Sequence, residues 1–298
     1  MAKKDARTPD QKIKQLEMEL EDRERELLAF RKELGDVNVQ LEKFINQMSN
    51  ELQLASLIQR SLVPTEIPTI PGFEFSTKFV ASPISGGDYF DIFELEDKMR
   101  FGIIMANSSG HGMASLFLSV LLKLTTQIEA RKGLDPSEVS NNMTKEMQGA
   151  VNAKDTTNLF YGVIDRRRYT LTYSKAGNIN SYIYNREQDK LVRLEATQGP
   201  IAKSSKPNQK SETISLDPRD KLIVTSEGLT KALNRSDEAF SEDRLFEHIL
   251  KNPGAKCHDM RNEILFQLEK FTNGRDYIQD LSILVMEVKD KVIKLRKG

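Results

Sequence analysis

Residues 10–62 contain no proline and a single glycine, Gly35, and they carry apolar side chains at a seven-residue interval. One series runs Ile13, Leu20, Leu27, Leu34, Leu41, Met48, Ala55 and Leu62; a second, offset by three, holds Leu16, Phe30, Val37, Phe44 and Ile58. These are the a and d positions of a heptad repeat, which winds helices around a shared apolar seam. The spacing predicts continuous helix from 13 to 62, about 75 Å long at a rise of about 1.5 Å per residue. A stripe so narrow stays wet on a lone helix. A homodimer is therefore expected, paired through Ile13, Leu20, Leu27, Leu34, Leu41 and Met48 in a coiled coil. Arg23 and Glu51 interrupt the d series, where charges weaken a seam or fix its register; ordinary irregularity of a natural coil accounts for them equally well.

"VPTEIPTIPGF", Val63 to Phe73, ends this helix with three prolines and a glycine. The expected organisation is a helical relay over 1–62, a proline-rich connector over 63–72, a globular domain over 73–288 and a basic tail over 289–298. Composition fits that division. Charged residues make up 30% of the 298, as a solvated helix requires, and the 44 acidic and 44 basic side chains cancel. No bulk charge points to nucleic acid or to a membrane surface, and the tail "KDKVIKLRKG" reads as a solvated end. The longest apolar run, "LFLSVLLKL" from Leu116, is too short to span a membrane and is broken by Lys123. No apolar stretch follows the N-terminal lysines, so no signal peptide is expected. Cys257 is the sole cysteine, which excludes an internal disulfide and fits the reducing cytoplasm. A catalytic thiol is disfavoured there, because only His258 stands beside it in a polar helical stretch.

Beyond Phe73 the period changes to that of strands. "FEFSTKFVAS" alternates, and "YFDIFELEDKMRFGIIMA" reads as a hairpin turning near Glu96–Lys98. Residues 113–131 predict a well-buried helix with Met113, Leu116, Phe117, Val120, Leu121 and Leu124 on its apolar face, widened by Leu118 and Leu122. A second helix is expected over 136–151, with Pro136 in its first turn. "NLFYGVIDRRRYTLTYSKAG" and "NSYIYNREQDKLVRLEA" predict two more hairpins. "KLIVTSEG" predicts a buried strand, 243–251 and 257–272 two helices, and "DLSILVMEV" a closing strand. Antiparallel strands interrupted by helix pairs predict an α+β fold, two antiparallel sheets sandwiched between helices.

Within that frame, "GIIMANSSGHGMASL", Gly102 to Leu116, has the form of a strand that ends in a tight turn before a helix. Such turns often aim an acidic side chain into a cleft, yet the position holds Asn107. Four segments in order resemble the SpoIIE/RsbU-type branch of the PPM family, the metal-dependent serine/threonine protein phosphatases. They are "ELQLASLIQRSLVPTEIPTIPGFEF", the family's lead-in helix and entry; "SGGDYFDIFEL", its first metal motif; "LFYGVIDRRRYTLTYSKAGN", its central hairpin; and "KLIVTSEGLTKA", its "LLYTDGLTEA" strand and turn. The resemblance covers residues 50–288. It implies a PPM-like αββα sandwich with Mg²⁺ or Mn²⁺ paired in a cleft at one sheet edge. There the metals would position a water that attacks phosphoserine or phosphothreonine. It also implies a small anti-sigma-factor antagonist as partner, phosphorylated or unphosphorylated, and a coiled coil that relays a signal.

Two divalent ions about 4 Å apart repel by about 17 kcal/mol at an effective dielectric of about 20, so the family supplies four aspartates to hold them. Carried over residue by residue, Asp88 in Gly86-Gly87-Asp88 matches the first, with glycines that let backbone approach the site. Asn107 stands for the aspartate of "GDVSGHG". Glu227 stands for that of "TDGLTEA", its arm longer by about 1.5 Å. Gln279 stands for the first aspartate of "DDxT", leaving Asp280 and Ser282 as the matching remainder and Asp280 as a further candidate ligand. Ligand charge falls from −4 to −2 with Asp88 and Glu227 ionised, and a reactant displaced by about 1 Å loses about 100-fold in rate. A degenerate metal centre is expected, with Mg²⁺ or Mn²⁺ binding weakened or lost and no residue assigned to catalysis.

The other candidates read as structural. Asp91 faces away from Asp88 on a strand. His111 reads as a surface or loop-bracing residue, and Ser108, Ser109 and Ser226 lack the histidine–carboxylate pair a serine nucleophile needs. Asn178 sits where many relatives hold histidine. Gly110 and Gly112 suit an anion nest or a tight turn equally well. Three functions compete: a regulatory pseudophosphatase, an active phosphatase tolerating altered ligands, and a coiled-coil scaffold with a docking domain.

Overall fold

The structure, a computed structural model, describes residues 8–62, 64, 66–82, 86–109, 113–148 and 155–289. The chain packs as two units, Met1–Glu51 and Leu52–Gly298. The first is helical, formed by the part of α1 (Pro9–Leu62) that falls within it, and α1 starts four residues earlier than the heptads require. Its seam is open on the single chain, with Leu27, Leu34 and Met48 at 52%, 48% and 47% exposure.

The second unit is a two-sheet sandwich. One sheet contains β1 (Phe73–Val80), β6 (Asn180–Asn185), β7 (Lys190–Arg193), β10 (Lys221–Thr225) and β11 (Leu281–Val288) in the order β1-β11-β10-β6-β7. The other contains β2 (Asp88–Glu94), β3 (Arg100–Ser108), β4 (Thr156–Asp165), β5 (Thr170–Ala176) and β9 (Glu212–Ser215) in that order, with the two-residue β8 (Ile201–Ala202) on β4. All the ladders are antiparallel. Strands central to each sheet are apolar on both faces, as burial on both sides demands. Along β11, Leu284, Met286 and Val288 enter the core between the sheets while Leu281, Ile283 and Val285 face outward. On β4, Phe160 and Ile164 point inward and Leu159, Tyr161 and Val163 outward.

Helices cover both outer faces. α2 (Met113–Glu129) and α3 (Pro136–Gln148) lie on the β2–β5 sheet, sealing Tyr89, Ile104 and Tyr161. α5 (Glu242–Lys251) and α6 (Cys257–Thr272) cover the other sheet over Ile223, Ile283 and Val285. The fold is the α+β sandwich expected. The β4–β5 hairpin turns where Asp165 Oδ1 accepts the N–H groups of Arg167 and Arg168 at 2.8 and 3.2 Å, an Asx turn.

Three expectations need correction. The buried ridge of α2 is Leu118, Leu122 and Thr126, whereas Phe117 and Leu124 are 59% and 53% exposed. This helix is apolar on more than one stripe, and the short Leu118/Leu122 side is the one the sheet takes. Its α-helix ends at Glu129 and gives way to a 3₁₀ turn, Ala130–Lys132, closed by Gly133 in the left-handed region. The strands β8 and β9 were not expected at all. Gly110, His111 and Gly112 lie outside the described residues, as do the side chains of Met113 and Leu116. No described helix is long and apolar enough to cross a membrane.

Candidate functional site

Strand register assembles the site. Asp88 opens β2 opposite Asn107 at the end of β3, and Asn107 lies opposite Asn158 on β4. Paired residues in a ladder share a face, and this one is the inner face, shared with Phe90, Met105 and Phe160. From the facing sheet, Ser282 on β11 donates its hydroxyl to Asp88 Oδ2 at 2.8 Å. Asn107 Nδ2 donates to Asp88 Oδ1 at 2.7 Å. Both oxygens of Asp88 are thus engaged, at a carboxylate only 1% exposed.

Asp280 packs beside it and is bound by backbone. Its Oδ1 accepts Ser82 N–H at 2.8 Å, and its Oδ2 accepts Gly87 and Asp88 N–H at 2.9 and 3.3 Å. Burial raises the pKa of Asp88 to about 7, and the nearby charge of Asp280 adds to the rise; hydrogen bonds from Ser226, Asn107 and Ser282 oppose it. Burial also raises Asp280, against the three backbone donors. Two buried carboxylates this close favour a shared proton or a bound cation.

Glu227 begins the short helix α4 (Glu227–Lys231). Its Oε1 accepts Asn178 Nδ2 at 2.6 Å and its Oε2 accepts Lys231 Nζ at 2.7 Å. Asn178 N–H donates to Asn158 Oδ1 at 3.0 Å, and Asn158 Nδ2 to Asn107 Oδ1 at 3.4 Å. One chain of hydrogen bonds therefore runs from Glu227 through Asn178, Asn158 and Asn107 to Asp88 and Ser282. Two glycines make the approach possible. A Cβ at Gly228 would lie 1.9 Å from the Asp280 carbonyl oxygen, and one at Gly177, where φ is +71°, would lie 2.1 Å from Asn158 Oδ1.

The five expected positions thus divide. Asp88 bonds to Asn107 and to Asp280, Glu227 joins through Asn178 and Asn158, and Gln279 buries an Oε1 that accepts no hydrogen bond from the described residues. Among the described residues, no three His, Cys, Asp or Glu side chains cluster as a metal-holding group. Asn158 and Lys231 were missed. Asn158 has no local signature, and only its register opposite Asn107 reveals it. Lys231 had one: four residues past Glu227, it lies on the same helical face, and it stands where the "TDGLTEA" pattern has glutamate.

The remaining candidates are structural. Asp91 accepts the Tyr89 hydroxyl at 3.3 Å on the outer face. Ser108 pairs with Thr157 at 3.0 Å, Ser109 Oγ accepts Thr156 N–H at 2.6 Å, and Ser226 Oγ accepts Ser282 N–H at 3.0 Å. His248 stacks on Phe240, and His258 contacts Arg261. Burial pushes the Cys257 thiol up to about 12, which removes the thiolate at neutral pH.

The profile of the family described as Stage II sporulation protein E (SpoIIE) matches residues 97–289. Phosphoserine phosphatase RsbU of Bacillus subtilis (strain 168) is 22% identical over 196 residues, covering 66% of this chain and 57% of the relative. Phosphoserine phosphatase RsbP of the same organism is 23% identical over 252 residues, 83% of this chain and 60% of the relative. The chain thus spans less than two thirds of the length of these curated relatives. Among solved structures, the SiaA-PP2C domain of Pseudomonas aeruginosa superposes with a TM-score of 0.66 at 17% identity, over 83% of this chain and 98% of that domain.

Proposed function

Because the chain belongs to the SpoIIE family, we propose that it is a bacterial signalling protein whose phosphatase-type cleft is degenerate or weakly active, and which regulates a partner-switching pathway by binding. The partner we assign is a small anti-sigma-antagonist-like protein, met in the cytoplasm. One observation carries this reading: Asn107, Glu227 and Gln279 stand in aspartate positions, and the retained Asp88 spends both oxygens on Asn107 and Ser282. Asn107 turns an N–H toward Asp88, a donor where a metal needs an acceptor. Both oxygens of Glu227 are likewise taken. This donor set does not fit a pair of Mg²⁺ or Mn²⁺ ions.

Two copies are proposed to pair through the α1 seam, since Ile13, Leu20, Leu27, Leu34, Leu41 and Met48 all stand at least 47% exposed on the single chain. A pairing of that kind supplies the route by which an upstream signal reaches the cleft.

The test is reversal. Asn107→Asp, Glu227→Asp and Gln279→Asp together are expected to create, or raise at least about 100-fold, hydrolysis of a phosphoserine peptide with Mn²⁺ present. A wild-type protein that already matches the triple variant would refute the degenerate reading. A second reading, an active Mg²⁺- or Mn²⁺-dependent phosphatase, draws on the adjacent acids Asp88 and Asp280 and on Gln279 Oε1, which has no hydrogen-bond partner among the described residues. That same result would establish it.

A further inference from the structure

We propose that Lys231 is a built-in counter-ion: its ammonium, seated on Glu227, supplies from within the chain the positive charge that a metal would bring, and so keeps a divalent ion off that carboxylate. The proposal rests on the degenerate reading of the cleft and assigns a role to a residue outside the metal positions.

Geometry supports it from several sides. Glu227 lies at the first position of α4 and Lys231 one turn later, the order in which a Glu–Lys pair is most favourable. Their contact is 2.7 Å, with Glu227 buried and the Lys231 side chain 56% exposed. The opposite oxygen of Glu227 is fixed as firmly. Asn178, which holds it at 2.6 Å, is itself oriented by Arg193 Nη2 on its Oδ1 at 3.4 Å. Arg193 in turn pairs with Glu242 at 3.0 Å, and Glu242 accepts the Tyr182 hydroxyl at 2.7 Å. Charge-assisted bonds of this length are among the strong ones. A metal on Glu227 would have to compete with both, and of the two only the Lys231 ammonium also opposes it by charge.

Sequence chemistry agrees. In the "TDGLTEA" pattern the residue at this place is glutamate, so lysine reverses the charge beside a ligand position, a change of two units. A lysine ammonium cannot give its lone pair to a metal while it carries its proton, and it repels any dication that shares its carboxylate.

The experiment uses the full chain and Mn²⁺ alone, with binding read by electron paramagnetic resonance of the free ion and folding by circular dichroism. Lys231→Ala removes the cation without adding a ligand, and Lys231→Arg keeps the cation. The wild type and Lys231→Arg are expected to bind Mn²⁺ equally weakly, and Lys231→Ala at least about tenfold more tightly. Because Lys231 is mostly exposed, both variants should keep the wild-type spectrum. Equal weak binding by wild type and Lys231→Ala overturns the counter-ion role while leaving the degenerate reading intact. A gain seen only in Lys231→Glu, which adds a carboxylate, overturns it too. Two tight Mn²⁺ sites in the wild type would overturn both.

Discussion

Substituting Asn107 by aspartate should turn an internal hydrogen bond into a repulsion that only a cation relieves. Asn107 Nδ2 now donates to Asp88 Oδ1 at 2.7 Å, with the two residues 6% and 1% exposed. Placing a second carboxylate at that distance sets like charges against each other. At an effective dielectric of about 20 the repulsion is about 6 kcal/mol. The pair can escape it by keeping a proton on Asp88, whose pKa burial already raises to about 7, so the escape costs little at neutral pH and more as pH rises. That cheaper route sets the expected loss at pH 8.5 at about 2 kcal/mol, a drop of about 4–8 °C in Tm for a unit of this size, and pH 8.5 is where the melts are compared. Differential scanning calorimetry in EDTA reads the loss directly. Millimolar Mn²⁺ should restore much of it in Asn107→Asp and leave the wild type unmoved. If Asn107→Asp melts with the wild type in EDTA, or if Mn²⁺ stabilises both proteins equally, Asn107 is not a neutral spacer in a metal-free cleft.

Other perturbations test the framework around the site. Gly228→Ala, whose Cβ would sit 1.9 Å from the Asp280 carbonyl oxygen, should destabilise by about 1–3 kcal/mol in urea titrations. Lys175 is buried between the sheets with its ammonium on the Leu194 carbonyl at 2.7 Å, and burial lowers its pKa from 10.5 to about 8. The folded state therefore binds fewer protons than the unfolded state between those values, and the penalty present below pH 8 is relieved as pH rises. Relative to Lys175→Met, the wild type should gain about 2–3 kcal/mol from pH 8 to pH 10.5 in denaturant melts. Leu27→Glu with Leu34→Glu, on the exposed α1 seam, should convert a dimer to a monomer in analytical ultracentrifugation.

The hairpins were legible because alternation and turn chemistry are local: Asp165 announces its own turn, and β11 announces its burial by being apolar on both faces. Asp88, Asn107, Glu227 and Gln279 were legible as positions in a family pattern. What they touch was not. That Ser282 caps Asp88 depends on two sheets meeting face to face. Asn158 depends on a register that spans 51 residues from Asn107. α2 was misjudged because its apolar residues form more than one stripe, and sequence alone does not say which stripe the sheet selects. Short strands such as β8 and β9 carry too few residues for a period to be read; their neighbours β4 and β5 create them.

The central claim is that this cleft holds itself together without a metal pair. Anomalous diffraction from crystals of the wild-type protein soaked in Mn²⁺ addresses it most directly. The expected result is no pair of peaks among Asp88, Asn107, Glu227 and Gln279, with Lys231 still seated on Glu227. Two anomalous peaks about 4 Å apart in that cleft, with Lys231 displaced, would contradict it.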